Sequence, residues 1–112
     1  MKNTVVEAAM KIILHAGDAR VECKQALDAI AETNFTLAKK KFEKAQKEIT
    51  LAHKVQTDSI QKSMSDEKAE YSLLFAHAQD TLMTIYSEIN IAKQLLKICR
   101  EYDKRLSNLE KK

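Results

Sequence analysis

Residues 5–30 of the chain, VVEAAMKIILHAGDARVECKQALDAI, place an apolar or small side chain at every third or fourth position. This spacing returns the chain to the same side of an α-helix, so it predicts a helix with one apolar stripe. The members of this stripe are Val5, Ala9, Ile12, Ala16, Ala19, Cys23, Ala26 and Ile30. We therefore predict a first helix over about residues 3–32.

Two further blocks of the sequence have the same helical spacing. The stripe of the second block consists of Phe35, Ala38, Phe42, Ala45, Ile49, Ala52 and Ile60. Asn34 precedes it and has a side chain suited to capping a helix. Residues 63–66, Ser-Met-Ser-Asp, are typical of a turn that also caps the next helix. We predict helices over about residues 34–62 and 67–106, followed by a short charged tail.

The amino-acid composition favours a single all-α domain over residues 1–112. The chain has one Gly and no Pro, and its residues are 45% apolar but only 5% aromatic. Ala, Leu, Ile, Lys and Glu dominate, and most of them are strong helix formers. Short connections between long helices make neighbouring helices antiparallel, so we predict an up-down three-helix bundle.

Charge and hydropathy exclude several classes of protein. The net charge of +3 comes from 19 basic and 16 acidic residues that are interleaved along the chain, which disfavours nucleic-acid binding. The only local basic run, residues 39–41, is predicted to be a solvated helix face. No segment has the apolar stretch of a signal peptide or a membrane span, so we expect a cytoplasmic protein. Cys23 and Cys99 are too few and too far apart for a disulfide framework and are predicted to be buried.

The third block differs from the others because it is apolar in nearly every direction around the helix axis. Its apolar members include Leu73, Leu74, Phe75, Ala76, Ala78, Leu82, Met83, Ile85, Tyr86, Ile89, Ile91 and Ala92. A helix that is apolar on all sides is buried on all sides. A lone three-helix bundle leaves one side of each helix in water, so this block predicts association between copies of the chain.

One narrow polar seam follows the third block at helical spacing: His77, Asp80, Thr81, Thr84, Ser87 and Glu88. The carboxylate three residues after His77 and the hydroxyl four residues after it lie within reach of the imidazole. Spacing alone leaves two alternatives open, a reactive site or a polar seam that only links helices or lines solvent.

The other two histidines have weaker patterns. Neither His15 nor His53 has a second ligand at a metal-binding spacing, and a structural or solvent-facing role is predicted for both. Gly17, inside a strong helix pattern, suggests the close approach of another group. The chain has no nucleophile elbow, phosphate-binding glycine loop or zinc-protease motif, which disfavours hydrolase and nucleotide-dependent kinase chemistry.

Three segments of the chain together resemble a known family. They are residues 12–20 (IILHAGDAR), residues 52–57 (AHKVQT) and residues 72–84 (SLLFAHAQDTLMT). In order and spacing they are similar to the lactose/cellobiose-class enzyme IIA proteins of the bacterial phosphoenolpyruvate-dependent sugar phosphotransferase system. The likeness covers nearly the whole chain.

The resemblance implies roles for individual residues. The family's phosphorylated histidine opens the sequence His-Ala-Gln-Asp and corresponds to His77. The aspartate that ligates a metal ion at the centre of the family's homotrimer corresponds to Asp80, and we expect Mg²⁺ as the metal. Three three-helix bundles then form a nine-helix assembly. The chain departs from the family at Thr81, where a second histidine is usual.

The resemblance also implies a reaction. His77 accepts a phosphoryl group from the carrier protein HPr and passes it to a cysteine of a cognate IIB, for uptake of a lactose-, cellobiose- or chitobiose-type disaccharide. Gln79 and Thr81 are candidate donors to the phosphoryl oxygens. The choice of sugar belongs to the membrane component IIC, so this chain does not specify it. The alternative hypothesis is a non-enzymatic helical adaptor.

Overall fold

The computed structural model describes residues 2–65 and 72–112, and these residues form three α-helices. Helix α1 spans Lys2–Ala31, α2 spans Phe35–Ser65 and α3 spans Leu73–Glu110. The helices pack side by side into a rod of 70 × 17 × 16 Å. Helix α1 contacts both other helices, whereas α2 and α3 contact each other least. The predicted all-α class and three-helix architecture are confirmed.

The polar contacts between helices show the up-down order. His15 contacts Glu48 while Glu22, later in α1, contacts the earlier Lys41, so α1 and α2 are antiparallel. Lys93 of α3 contacts Gln46 of α2. Tyr86, which is seven residues before Lys93, contacts His53, which is seven residues after Gln46. Helices α2 and α3 are therefore antiparallel too.

The core of the bundle is built mainly from alanine, which allows the helices to approach closely. The largest fully buried side chains are Ile12, Ile49, Leu82, Ile85 and Ile89. The predicted stripes of α1 and α2 face this core from Ala9 to Ile30 and from Ala38 to Ala52. Ile60 was also assigned to the α2 stripe, but it is exposed because the buried part of α2 ends eight residues earlier.

We expect Ile49→Ala to lower the free energy of unfolding by about 2–5 kcal/mol, because it leaves a cavity at a fully buried position. Leu51→Ala is the matched control on the same helix, where 41% of the leucine is exposed, and its effect should stay within about 0.5 kcal/mol. Urea denaturation followed by circular dichroism measures both. Equal losses at the two positions would contradict the assigned core.

The connection between α1 and α2 is a tight turn around Thr33. Thr33 N–H donates to the Ile30 carbonyl at 2.9 Å and Asn34 N–H donates to the Ala29 carbonyl at 2.9 Å. This pair of bonds is the Schellman arrangement, which places Thr33 in the left-handed region with φ 59°. Asn34 Oδ1 then accepts a hydrogen bond from Leu37 N–H at 3.2 Å, which confirms the predicted cap of α2.

The predicted turn at residues 63–66 is wrong. Helix α2 continues through Ser65, whose hydroxyl donates to the Lys62 carbonyl at 2.9 Å and thus stays within the helix. Asp66 lies outside the described residues, as do residues 67–71 of the predicted third helix. Helix α3 instead starts after Ser72, which has extended dihedral angles and accepts a hydrogen bond from Phe75 N–H. At its other end α3 continues to Glu110, four residues beyond the prediction.

Within one chain, α3 is not buried on all sides. Its buried positions end at Ala92, although the helix is 38 residues long. The side of α3 that faces away from α1 and α2 carries a row of exposed residues, which we call the α3 stripe: Asp80, Thr84, Ser87, Ile91, Leu95, Ile98, Tyr102, Leu106 and Leu109. The predicted burial of α3 on all sides would therefore require other copies of the chain to cover the α3 stripe.

The α3 stripe has an exact sequence period. Its positions advance by four, three and four residues, so that Asp80, Ile91 and Tyr102 are equivalent members of an 11-residue repeat. A period of 11 residues over three turns corresponds to about 3.67 residues per turn and keeps one line of side chains nearly parallel to the helix axis. The first repeat is polar and the next two are apolar.

Candidate functional site

His77 lies in the second turn of α3, and the start of the helix determines where it points. Ser72 Oγ accepts a hydrogen bond from Phe75 N–H at 3.1 Å, and the Ser72 carbonyl accepts one from Ala76 N–H at 3.0 Å. The next residue, Ala78, is fully buried against the other helices. Successive residues of a helix are about 100° apart, so burial of Ala78 turns His77 towards solvent, where its side chain is exposed.

Thr81 contacts His77 through the backbone. Thr81 Oγ1 donates to the His77 carbonyl at 2.9 Å, so its hydroxyl proton is engaged within the helix. None of the hydrogen bonds found among the described residues involves the His77 imidazole. The polar seam thus brings Thr81 to the main chain of His77 and leaves the ring nitrogens available to a partner.

Gln79 and Asp80 lie on different sides of α3. Gln79 is half-buried and two residues from His77, a separation that places two side chains on different helix faces. Asp80 is exposed and belongs to the first repeat of the α3 stripe. His77 is three residues before Asp80, a separation that makes the two side chains neighbours on one helix face, so His77 borders the polar start of the α3 stripe.

Glu88, also part of the predicted seam, is paired with α1. Arg20 Nε donates to Glu88 Oε1 at 3.1 Å and Arg20 Nη2 donates to Oε2 at 2.7 Å. These hydrogen bonds and the carboxylate charge raise the pKa of Arg20 above its usual value. The bidentate pair ties α1 to α3, and Glu88 is a structural member of the seam.

The other two histidines lie between helices. His15 Nδ1 is 2.7 Å from Glu48 Oε2, which links α1 to α2. The His53 ring packs edge-on against Tyr86 of α3, with ring centroids 5.2 Å apart. Both contacts agree with the predicted structural roles. Gly17 differs from expectation, because a Cβ there would meet no atom within 4 Å, so no close approach within the chain requires a glycine.

The two cysteines and the lysine run at residues 39–41 differ in how far they are buried. Cys23 is buried as predicted, and burial is the main reason that the pKa of its thiol is raised. Cys99 is only half-buried. Lys41 is also half-buried and contacts Glu22 at 3.4 Å, so the predicted solvated face applies to Lys39 and Lys40 but not to the whole run.

A metal site cannot be assembled from one chain in the part that the structure describes. No three His, Cys, Asp or Glu side chains there lie close enough together to hold a metal ion. Asp80 contributes one exposed carboxylate, and Thr84 follows it in the α3 stripe with a hydroxyl. Oxygen donors of this kind suit Mg²⁺, but only several copies of Asp80 together would provide enough of them.

The three helices are long, but charged residues recur along each of them. None of α1, α2 and α3, over the residues described, combines the length and the apolar composition that crossing a bilayer requires.

Sequence reasoning missed a row of basic residues in the second half of α3. Four basic residues, Lys93, Lys97, Arg100 and Lys104, are separated by three or four positions and therefore share one helix face. A search for consecutive charged residues does not find them, because other residues separate them in the sequence. Their spacing of three or four residues is the signal that would have found them.

Comparison with known proteins places this geometry in context. Residues 7–100 match the sequence model of the family described as PTS system, Lactose/Cellobiose specific IIA subunit. The chain is 33% identical over 98 residues to the lichenan-specific phosphotransferase enzyme IIA component of Bacillus subtilis (strain 168), which covers 88% of this chain and 89% of that protein.

Solved structures agree with the sequence comparison. The crystal structure of PtcA from S. mutans superposes with a TM-score of 0.84 at 34% identity, covering 89% of this chain and 98% of that one. The IIA(Chitobiose) of Escherichia coli, solved in complex with HPr, gives a TM-score of 0.79 at 27% identity and covers 88% and 96% of the two chains. Fold and sequence thus point to the same relatives.

Proposed function

The chain belongs to the lactose/cellobiose-specific IIA family of the sugar phosphotransferase system, and from this premise we propose that it carries a phosphoryl group on His77 between HPr and a cognate IIB. The observation that carries the proposal is the exposure of His77 beside the α3 stripe, where a partner protein can reach it. A relative from Escherichia coli is solved in complex with HPr. We place the reaction in the cytoplasm, in the uptake of a lactose-, cellobiose- or chitobiose-type sugar through a membrane IIC.

The reaction consists of two phosphoryl transfers. A neutral ring nitrogen of His77 attacks the phosphorus of phospho-HPr, and the P–N bond to the HPr histidine breaks as that imidazole regains a proton from the site or solvent. In the second transfer, the thiolate of the IIB cysteine attacks the same phosphorus and the P–N bond to His77 breaks. His77 takes up a proton and returns to its starting state. The chain is therefore a carrier, with no turnover of a small molecule on its own.

Positioning supplies most of the catalysis in such a transfer, because the transferred group needs an in-line approach and donors for its oxygens. Gln79 and Thr81 remain the candidate donors. The Thr81 hydroxyl must turn away from the His77 carbonyl before it donates to a phosphoryl oxygen. Gln79 is half-buried on another side of α3, so we propose that it donates to the phosphoryl group only after rearrangement.

Incubation with phosphoenolpyruvate, enzyme I and HPr tests the proposed function. A phosphocarrier acquires one acid-labile phosphoryl group per chain, whereas the alternative, a non-enzymatic helical adaptor, acquires none. Transfer of the label onwards to a IIB protein separates a carrier from a protein that is phosphorylated but passes nothing on.

We further propose that the chain forms a homotrimer around the α3 stripe. Its second and third repeats expose Ile91, Leu95, Ile98, Tyr102, Leu106 and Leu109 in one continuous line. Such a line of apolar side chains is unfavourable in water and typical of a helix that packs against others. Three-fold symmetry sets three copies of α3 parallel around an axis, with equivalent residues at the same height.

The proposed trimer gives Asp80 a defined place. As the polar equivalent of Ile91 and Tyr102, it would meet its two copies near the axis, and three converging carboxylates repel one another unless a proton or a cation compensates them. We propose that Mg²⁺ does so, with Asp80 of each chain as a ligand and Thr84 one turn away. The metal would supply charge compensation for assembly and take no part in phosphoryl transfer.

We expect EDTA to shift the sedimentation coefficient of the unaltered protein towards that of the monomer, because the carboxylates of Asp80 then repel one another. Asp80→Leu removes both the repulsion and the metal. It should therefore sediment as a trimer with and without EDTA and still be labelled on His77. Two outcomes would contradict the assignment: dissociation of the leucine variant, and loss of labelling while that variant remains trimeric.

A further inference from the structure

A groove lies between the start of α2 and the second half of α3. Its volume is about 490 Å³, and its apolar floor is formed by Phe35 and Leu96. The groove exists because the buried side of α3 ends at Ala92, whereas the helix itself continues for five more turns to Glu110. Beyond Ala92, the apolar side chains of α3 that still pack against the core, Leu96 and Cys99, are only partly buried.

The α3 wall of the groove is basic. Lys93, Lys97, Arg100 and Lys104 line it and advance by four, three and four residues, so they form one row about 16 Å long. We call this the basic row. Lys93 Nζ, at one end, donates to Gln46 Oε1 at 2.7 Å. The other three side chains are exposed, and none of the ion pairs found among the described residues includes them.

Two carboxylates also line the groove. Glu101 Oε1 is 3.4 Å from Arg105 Nε, in a pair that is itself exposed. Asp103 is the second and is half-buried. Four cations against two carboxylates leave the lining positive, and Lys39, one turn after Phe35 on the same face of α2, adds a further positive charge at the rim.

The basic row lies on the opposite side of α3 from the stripe that we assign to the trimer. Lys97 is two residues from Leu95, and Lys104 is two residues from both Tyr102 and Leu106, a separation that turns side chains to different faces. A copy packed on the α3 stripe therefore does not account for these charges. The groove is also remote from His77, which is 16 residues before Lys93 and thus about 24 Å away along the helix.

We propose that this groove docks an acidic segment of a partner protein. Two or three carboxylates of the segment would pair with Lys97, Arg100 and Lys104, while an apolar side chain between them would rest on Phe35 and Leu96. Complementary charge and an apolar anchor are the features by which proteins recognise short segments. The pairs are exposed, so binding is weak and falls as the salt concentration rises.

The shape and lining of the groove favour a peptide over other polyanions. Glu101 and Asp103 would repel a nucleic-acid backbone, which carries a phosphate at every nucleotide. Phe35 and Leu96 place an apolar floor beside the basic row, which suits an apolar side chain of a peptide and has no counterpart in the charged headgroup surface of an anionic membrane. A peptide segment can carry its carboxylates at spacings that match the basic row and avoid Glu101 and Asp103.

A labelled peptide tests the proposal on the full-length protein. The probe is a fluorescein-labelled 12-residue peptide with four glutamates around a central leucine, and its control replaces each glutamate with glutamine. We expect fluorescence anisotropy to detect the glutamate peptide at low salt, with affinity at least tenfold above the control. Lys97→Glu combined with Arg100→Glu should abolish this difference, because it reverses the charge in the middle of the basic row.

Matched variants keep the test decisive. Lys47→Glu combined with Lys54→Glu makes the same change of net charge on the exposed outer face of α2 and should bind the peptide within about twofold of the unaltered protein, once long-range effects are screened. Phosphoryl labelling of His77 should be unchanged in both double variants, which also shows that they fold. Equal loss in the two double variants, or no binding of the glutamate peptide, would overturn the proposal. So would binding of a single-stranded oligonucleotide or of anionic vesicles in place of the peptide.

Discussion

His77→Ala is expected to reduce phosphoryl labelling by enzyme I and HPr to background, whereas His15→Ala and His53→Ala keep it. Labelling requires an imidazole nitrogen that a partner can approach, and His77 is the exposed histidine of the three. His15 Nδ1 contacts Glu48 at 2.7 Å and the His53 ring packs on Tyr86. Incorporation of radioactive phosphate from phosphoenolpyruvate, with acid lability of the product, measures the result.

The two control variants have their own expected consequences. His15→Ala removes a contact between α1 and α2, and His53→Ala removes an aromatic contact between α2 and α3, so both lower the unfolding free energy while leaving the label in place. Label that persisted on His77→Ala would overturn the assignment. If another histidine carried the phosphoryl group, His15→Ala or His53→Ala would lose the label instead.

Ile98→Asp is expected to convert the protein from trimer to monomer. The change puts a carboxylate in the first apolar repeat of the α3 stripe, where three copies would be desolvated together without a partner, at a cost of several kcal/mol. Light scattering should report close to three times 12.8 kDa for the unaltered protein and close to 12.8 kDa for the variant. In a single chain, Ile98 is 47% exposed, so the bundle itself should fold normally.

Leu51→Asp is the matched control for assembly. Leu51 has similar exposure, at 41%, but it lies among the exposed charged residues of the outer face of α2, with Lys47 and Lys54 one turn away. This variant should remain trimeric. A monomer in the unaltered protein at micromolar concentration would refute the trimer, and dissociation of Leu51→Asp would place the interface on α2.

Most of the fold could be predicted because it depends on local periodicity. The positions of the α1 stripe from Ala9 to Ile30 are buried as predicted, and Asn34 caps α2 with the bond that its side chain suggested. Each of these assignments uses residues no more than one or two turns apart. An error occurred where two local signals competed, because Ser65 and Ser72 are both plausible helix ends and the sequence alone does not rank them.

The candidate site was predicted by a different route. Helical spacing placed His77, Asp80 and Glu88 on one seam, but it did not show that Glu88 pairs with Arg20, which is 68 residues earlier in the chain. That contact depends on how α1 packs against α3. The family resemblance selected His77 within the seam, and the roles of Gln79, Thr81 and Asp80 remain predictions.

Sequence alone is enough to predict an all-α chain, the positions of its main apolar stripes and the family that its three motifs resemble. These properties follow from helix propensity, from a period of three to four residues and from the order of residues in short segments. Which side of α3 is covered follows instead from how α1 and α2 pack against it. Because α1 and α2 fully bury only one side of α3, from Ala78 to Ala92, the α3 stripe and most of the basic row remain exposed on separate faces. Exposure depends on packed neighbours, and the first part of α3 is apolar in nearly every direction, so its pattern does not show which side those neighbours cover.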